Sequence, residues 1–132
     1  GNVYVADAGN NRIVRYPRPT GQPAGEPILA DFLIGQTSFS GNRANQGGAA
    51  TASTLAFTTT SGVFKVAIRF DASGNLWVTD AGNHRVLWYP ASALSAGAAN
   101  APAADVALGQ TSLSNNTPPP GLNSPRPRWT GE

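Results

Sequence analysis

Two short constellations in this sequence hold residue types that could do chemistry. Asp7, Asn10 and Arg12 recur as Asp80, Asn83 and Arg85. Arg12 and Arg85 could hold a ligand's carboxylate or phosphate in bidentate geometry, so each Asp/Arg pair could line a polar site. The same pairs could instead hold their own turns and bridge to the next unit. Their presence in both copies favours that architectural role. His84 is the only histidine, and Asn11 stands at its position in the first copy, which points to a hydrogen-bonding position rather than a ligand. One imidazole cannot build a His-rich zinc site or a constellation of several histidines within this chain. Lys65 and Arg69 share one face of an alternating stretch and are candidate binding cations, with plain solvent exposure as the alternative. The chain has no phosphate-binding glycine loop, no Gly-x-Ser-x-Gly elbow and no run of ligand carboxylates. Asp31, Asp71, Asp105 and Glu26 lie outside the repeated turn and are unpaired in sequence. No catalytic residue, metal ligand or cofactor is assigned. Tyr4, Tyr16, Trp77, Trp88 and Tyr89 could stack on sugars or bases, but at strand positions with apolar neighbours they are expected to pack between units. Trp129 beside Arg126 and Arg128 reads as a basic aromatic tail. Asn115-Asn116-Thr117 is a glycosylation triplet of a kind common by chance.

The elements that must position these residues follow from an internal repeat. Gly1 to Pro17 and Gly74 to Pro90 align without gaps, and ten pairs are identical: Gly1/Gly74, Asn2/Asn75, Val5/Val78, Asp7/Asp80, Ala8/Ala81, Gly9/Gly82, Asn10/Asn83, Arg12/Arg85, Tyr16/Tyr89 and Pro17/Pro90. A second block repeats with one residue of drift, as Ala30-Asp31 and Gly35-Gln36-Thr37-Ser38 return as Ala104-Asp105 and Gly109-Gln110-Thr111-Ser112. Each unit should contain strands at Val3–Ala6 and Leu76–Thr79, at Ile13–Tyr16 and Val86–Tyr89, and at Phe32–Ile34 and Val106–Leu108, because these runs are β-rich and bounded by turn residues. Only the second unit shows an opening strand, expected over Val63–Phe70. Most of these strands are apolar on both faces, as in a sheet sandwiched between neighbours. Asp71-Ala72-Ser73-Gly74 reads as a tight hairpin with Gly74 at positive φ. Asp7 and Asp80 open Asp-Ala-Gly-Asn turns, where a carboxylate could accept bonds from the following backbone N–H groups. The fold class is therefore all-β, with propeller blades of four antiparallel strands and about two blades present.

Composition narrows the alternatives. Nine Lys and Arg against seven Asp and Glu leave a net charge of +2, and charged residues are 12% of the chain. These cations are dispersed apart from Arg12, Arg15 and Arg18, which argues against a nucleic-acid partner. No apolar run is long enough for a helical membrane span. With no Cys, disulfides and thiolate metal sites are excluded within this chain. Fifteen Gly and 11 Pro fit short strands joined by many turns.

Gly-Asn-x-x-Val-x-Asp-Ala-Gly-Asn-x-Arg, at Gly1–Arg12 and Gly74–Arg85, resembles the NHL-repeat family of β-propellers. Asn83-His84 stands where the family takes its Asn-His. The continuations Leu33-Ile34-Gly35-Gln36 and Ala107-Leu108-Gly109-Gln110 are similar to a bacterial subgroup with long insertions between blades. Residues 1–42 would be an incomplete first blade (strands two to four), 43–62 a long inter-blade loop, 63–116 the second blade, and 117–132 the Pro-rich start of the next connection. The repeat exceeds the ~40–45 residues of a typical blade, so about 30 residues of each unit belong to loops. Gln36–Gly62 and Pro90–Asp105 are the obvious places, and such loops are functional or disordered. A closed propeller needs about four to eight blades, so we expect a fragment or a subunit that meets its remaining blades in a parent chain or an assembly. Since Gly1 falls inside a motif, a fragment is favoured. The resemblance implies a noncatalytic binding scaffold, extracytoplasmic or secreted, that presents its long loops to a protein or glycan. Related propellers also include metal-dependent lyases and hydrolases with a site in the central channel, near which Lys65 and Arg69 would fall. Others bind RNA through a basic face.

Overall fold

A computed structural model of the chain describes residues 1–118. Its first unit is an antiparallel sheet of β1 (Val3–Asp7), β2 (Arg12–Tyr16) and β3 (Phe32–Ile34), joined in that order. A short 3-10 turn at Ala8–Asn10 links β1 to β2, and Asn11 closes it in the left-handed region at φ 53. Asn tolerates this conformation better than most residues because its short amide can bond locally. The turn sets the register so that Asp7 lies directly across from Arg12.

A small hairpin follows, β4 (Thr58–Thr59) with β5 (Gly62–Val63). The second unit is then an antiparallel sheet of β6 (Ile68–Phe70), β7 (Leu76–Asp80), β8 (Arg85–Tyr89) and β9 (Val106–Leu108). The turn between β7 and β8 repeats the first, with His84 at φ 54 in place of Asn11 and Asp80 opposite Arg85. The hairpin before β7 is the one expected. Gly74 sits at φ 81 and donates to the Asp71 carbonyl at 3.0 Å. The Asp71 carboxylate accepts from the backbone of Ser73 and Asn75 and from the Asn75 amide. The Asn75 amide bond, ahead of the backbone bonds, holds the Asp71 pKa below its ordinary value.

The six repeated strands lie where the sequence places them, but the opening strand is shorter. Only Ile68–Phe70 pairs as a strand, not Val63–Phe70. Two local bonds explain the loss. Phe64 donates its N–H to the Phe57 carbonyl at 2.7 Å, drawing Val63 into the small hairpin. The Thr79 hydroxyl captures the Ala67 N–H at 2.8 Å, in place of a ladder bond.

The two sheets share one core. Ile13, Phe32 and Ile34 of the first unit meet Leu76, Val78, Leu87 and Tyr89 of the second, with Leu55 and Phe57 between them. Tyr4 packs edge-on against Phe70 at 4.9 Å between ring centres, and Trp77 lies 6.4 Å from Trp88 across the β7–β8 pair. The insertion between the units is thus half core. Ala50 and Leu55–Phe57 are buried, while Thr37–Ser40 and Gln46–Ala49 face solvent. These architectural facts are consistent with part of an open propeller. Among the described residues no helix is long and apolar enough to cross a membrane. Trp129, Arg126 and Arg128 lie outside the described residues.

Candidate functional site

The densest polar constellation surrounds the second turn. The Asp80 and Arg85 side chains are both completely buried and meet at 2.6 Å. Asp80 is saturated. One oxygen accepts from Arg85 Nε and the Asn83 amide, and the other accepts the backbone N–H of Ala56 at 2.7 Å. The expected bonds from the N–H groups that follow Asp80 do not form, and neither Asp7 nor Asp80 caps its 3-10 turn. Residues Ala81–His84 separate Asp80 from its ladder partner, and that register brings Arg85, not the turn backbone, to the carboxylate.

Arg85 spends its remaining donors on carbonyls. One Nη donates to Leu113, and the other donates to Thr51 and Thr54 at 2.9 Å each. Asn83 exchanges a reciprocal pair of amide bonds with Asn45, both 2.8 Å. The Gly82 N–H donates to the Ala56 carbonyl at 2.8 Å. A side chain at Gly82 would meet that oxygen at 2.5 Å, so only glycine admits so close an approach. Asp80, Gly82, Asn83 and Arg85 together therefore form a clamp that grips an extended segment, Thr51–Ala56, mainly by its backbone.

From the first unit, Asn11 grips the next residues of the same segment. Its side-chain oxygen accepts the N–H groups of Phe57 and Thr58 at 2.7 and 2.9 Å, and its amide donates to Asn42 and Thr58. Gln36 donates to the carbonyls of Asn11 and Arg43. Gln110 makes matching bonds to Asn83 and His84. A second brace joins the units elsewhere. Arg15 forms a two-pronged pair with Asp31 at 2.9 and 3.0 Å, lies over the Phe32 ring and donates to the Leu94 carbonyl. The Asp31 bond raises the Arg15 pKa, more than offsetting the opposing effect of burial.

Asp7, Asn10 and Arg12 form the same carboxylate-centred cluster, with Arg12 Nε 2.8 Å from Asp7. Arg12 also donates to the carbonyls of Phe39 and Gly41. This cluster is more open, its Asp7 side chain 28% exposed. His84 is exposed, unlike buried Asn11. Arg69 is exposed on β6, and Lys65 is exposed in the segment before it, outside any strand, because Val63–Phe70 is not a continuous strand. The two cations do not converge with the clamp residues. No group of three or more His, Cys, Asp and Glu that could hold a metal ion occurs among the described residues. Asn11 makes the hydrogen bonds expected at its position, whereas sequence reasoning misses Asn45 as a clamp member and Arg15 with Asp31. Asp31 has a repeated counterpart in Asp105, whereas Arg15 is matched by Trp88 and so carries no repeat signal.

Residues 66–89 match the family model for the NHL repeat, a span that runs from just before β6 to the end of β8. No curated protein and no solved structure matches the chain.

Proposed function

We propose that this chain is part of a noncatalytic propeller scaffold whose insertions recognise a protein or glycan. The observation that carries the reading is the state of the loop after β3. It is fastened at its base yet turns polar side chains outward. Gln36, Asn11 and Arg12 hold its backbone at Arg43, Asn42, Phe39 and Gly41. Gln46 fastens it again at Gly35. Thr37, Ser40, Asn42, Arg43 and Gln46 then border a polar cleft of about 320 Å³. Asn45 and Gln46 are both held at positive φ, 50 and 55, a strained arrangement that recognition loops retain where contacts over-determine it. A fastened loop loses less entropy when it binds than a floppy one, so its polar groups are preorganised for a ligand.

The best-formed polar groups elsewhere are spent on architecture, since Asp80, Asn83 and Arg85 are saturated by the chain itself. This leaves the clamp an architectural part and the outward polar groups of the loop the better candidates for recognition. An extracytoplasmic setting belongs to the same proposal and rests on the subgroup resemblance and the Thr/Asn/Gly-rich loops.

The test is to screen the labelled chain against arrayed glycans and arrayed peptides, then repeat it with a Ser38→Ala/Ser40→Ala/Arg43→Ala variant. We expect at least one ligand class to bind the parent chain and to be lost in the variant, with an unchanged far-ultraviolet spectrum. Absence of binding, or binding indifferent to the variant, overturns the proposal.

A further inference from the structure

The turn after the last strand of each unit is built twice with the same bonds. Gly35-Gln36-Thr37-Ser38 returns as Gly109-Gln110-Thr111-Ser112, and Ser40 and Asn42 return as Ser114 and Asn116. Gln36 donates to the carbonyls of Asn11 and Arg43, and Gln110 to those of His84 and Thr117, so one amide ties the base of each turn. Arg12 and Arg85 hold the carbonyls of Phe39 and Leu113. The chain then reverses by an N–H donated back to a serine carbonyl, Gly41 to Ser38 and Asn115 to Ser112. These bonds account for the two glutamines and the two arginines. They do not account for the side chains that both turns carry outward, Thr37/Thr111, Ser38/Ser112, Ser40/Ser114 and Asn42/Asn116. All are exposed, and none bonds by its side chain outside its own turn among the described residues. The two serine oxygens lie together, 3.1 Å apart in the first turn and 3.3 Å in the second. The first turn stays open with the following unit packed on its sheet, and the second with the preceding unit packed on its sheet. A unit on either side therefore leaves such a turn uncovered.

We infer that the two turns are paired subsites for one neutral polysaccharide, each taking a sugar unit of the same chain. The inference rests on the loop after β3 being a recognition surface, and it adds the class of ligand and a second subsite on the second unit. The chemistry of the repeated groups selects the ligand. A hydroxyl both donates and accepts, and Asn offers two donors beside a carbonyl, which is the set that sugar hydroxyls require. The two close serine oxygens of each turn suit two adjacent hydroxyls of one ring. What repeats carries no charge, since Thr117 stands at the place of Arg43. An extended peptide would need a pocket for its side chains. The residue between the serines supplies none in common, because Leu113 packs against the core whereas Phe39 is 47% exposed. A ligand of identical units, met by identical subsites on successive units of the protein, gains by avidity what each small polar subsite lacks.

The test immobilises a neutral glucan, mannan, galactan and xylan and follows binding of the full chain by biolayer interferometry, with the matching disaccharides as soluble competitors. At least one polymer should bind, and its disaccharide should compete about a hundredfold less well per sugar unit. Ser38→Ala/Ser40→Ala and Ser112→Ala/Ser114→Ala should each weaken binding of that polymer by about tenfold or more, because either change removes one of two linked contacts. Added salt should change it little, since no charge is shared. All four serines are exposed, so both variants should fold, and circular dichroism checks this. Loss confined to the first-turn variant overturns the paired site and leaves the loop cleft as a recognition surface. Binding to a peptide or an acidic glycan in place of these polymers, steeply weakened by salt, also overturns it while the cleft stands. A chain that binds neither sugars nor peptides brings down both readings.

Discussion

The same four-residue chemistry exists twice in this chain in two environments. At the second turn, Asp80, Asn83 and Arg85 are buried and every strong acceptor on Asp80 is used. At the first, Asp7 and Arg12 keep the same mutual geometry with side chains 28% and 18% exposed. The local sequence therefore fixes the ion pair, whereas the segment lying across it decides whether that pair is buried. An isolated, half-wet pair contributes little, because Coulomb attraction is screened and two side chains must be ordered. A buried pair is different in kind. Its value lies less in attraction than in the penalty for removing one partner.

The two arginines should differ most. Arg85→Ala leaves the Asp80 carboxylate buried beside carbonyls that have lost their donor. We expect a loss of about 3–5 kcal/mol in urea unfolding of the whole chain. Arg12→Ala should cost about 1 kcal/mol or less by the same measurement. Equal losses at the two sites would show that the segment Thr51–Ala56 adds nothing to the pair.

A smaller effect separates the residues that follow. Asn11 satisfies the buried N–H of Phe57 and the half-buried N–H of Thr58. Asn11→Ala should cost about 2 kcal/mol or more, from unsatisfied donors together with a left-handed backbone that Ala tolerates less well. His84 has the same φ but an exposed side chain. His84→Asn should change stability by less than about 0.5 kcal/mol, as surface substitutions usually do. Thermal unfolding of the two variants distinguishes them, and a large loss at His84 would reveal a contact of the kind Asn11 makes.

Much of this was legible because both the strands and the turn are local features written twice. The repeat places six strands and the Asp/Arg register, and the Asp71–Gly74 hairpin follows from its turn residues. The clamp was not legible. Thr51–Phe57 is a run of small and apolar residues without a strand period, and its burial is decided by Asp80 and Arg85, 24 to 34 positions away. The alternating stretch Val63–Phe70 misled for the converse reason. Its pattern is that of a strand, but the Phe57 carbonyl and the Thr79 hydroxyl compete successfully for its backbone. Lys65 and Arg69 consequently sit on a broken surface and not on one strand face. Arg15 was invisible as a brace because Trp88 holds its place in the other unit, so repetition points only to Asp31.

The smallest of the expected effects concerns the tyrosines at the ends of the two β2-type strands, and it sharpens the contrast in pH. Tyr89 is fully buried, and its hydroxyl is the one buried side-chain polar atom without a partner among the described residues. Tyr16, its counterpart, is half-buried on an open groove. Burial first, and the nearby Asp80 charge second, hold the Tyr89 phenol above its ordinary value of 10.0. The sign follows from which state releases the proton. Above pH 10.0 the unfolded chain ionises this phenol while the folded chain keeps it protonated. The stabilising contribution is thus complete below that pH and is lost as pH rises, by up to about 1.4 kcal/mol per unit. Tyr89→Phe removes that alkaline loss and also removes an unpaired buried hydroxyl, so at neutral pH it should be neutral or stabilising by about 1 kcal/mol. Tyr16→Phe should change neutral stability by less than about 0.5 kcal/mol. Urea unfolding of both variants at pH 7 and above pH 10 checks the pair. A neutral-pH loss in Tyr89→Phe would mean that its hydroxyl is bonded after all, and the second unit would then be held by one more polar tie than the first.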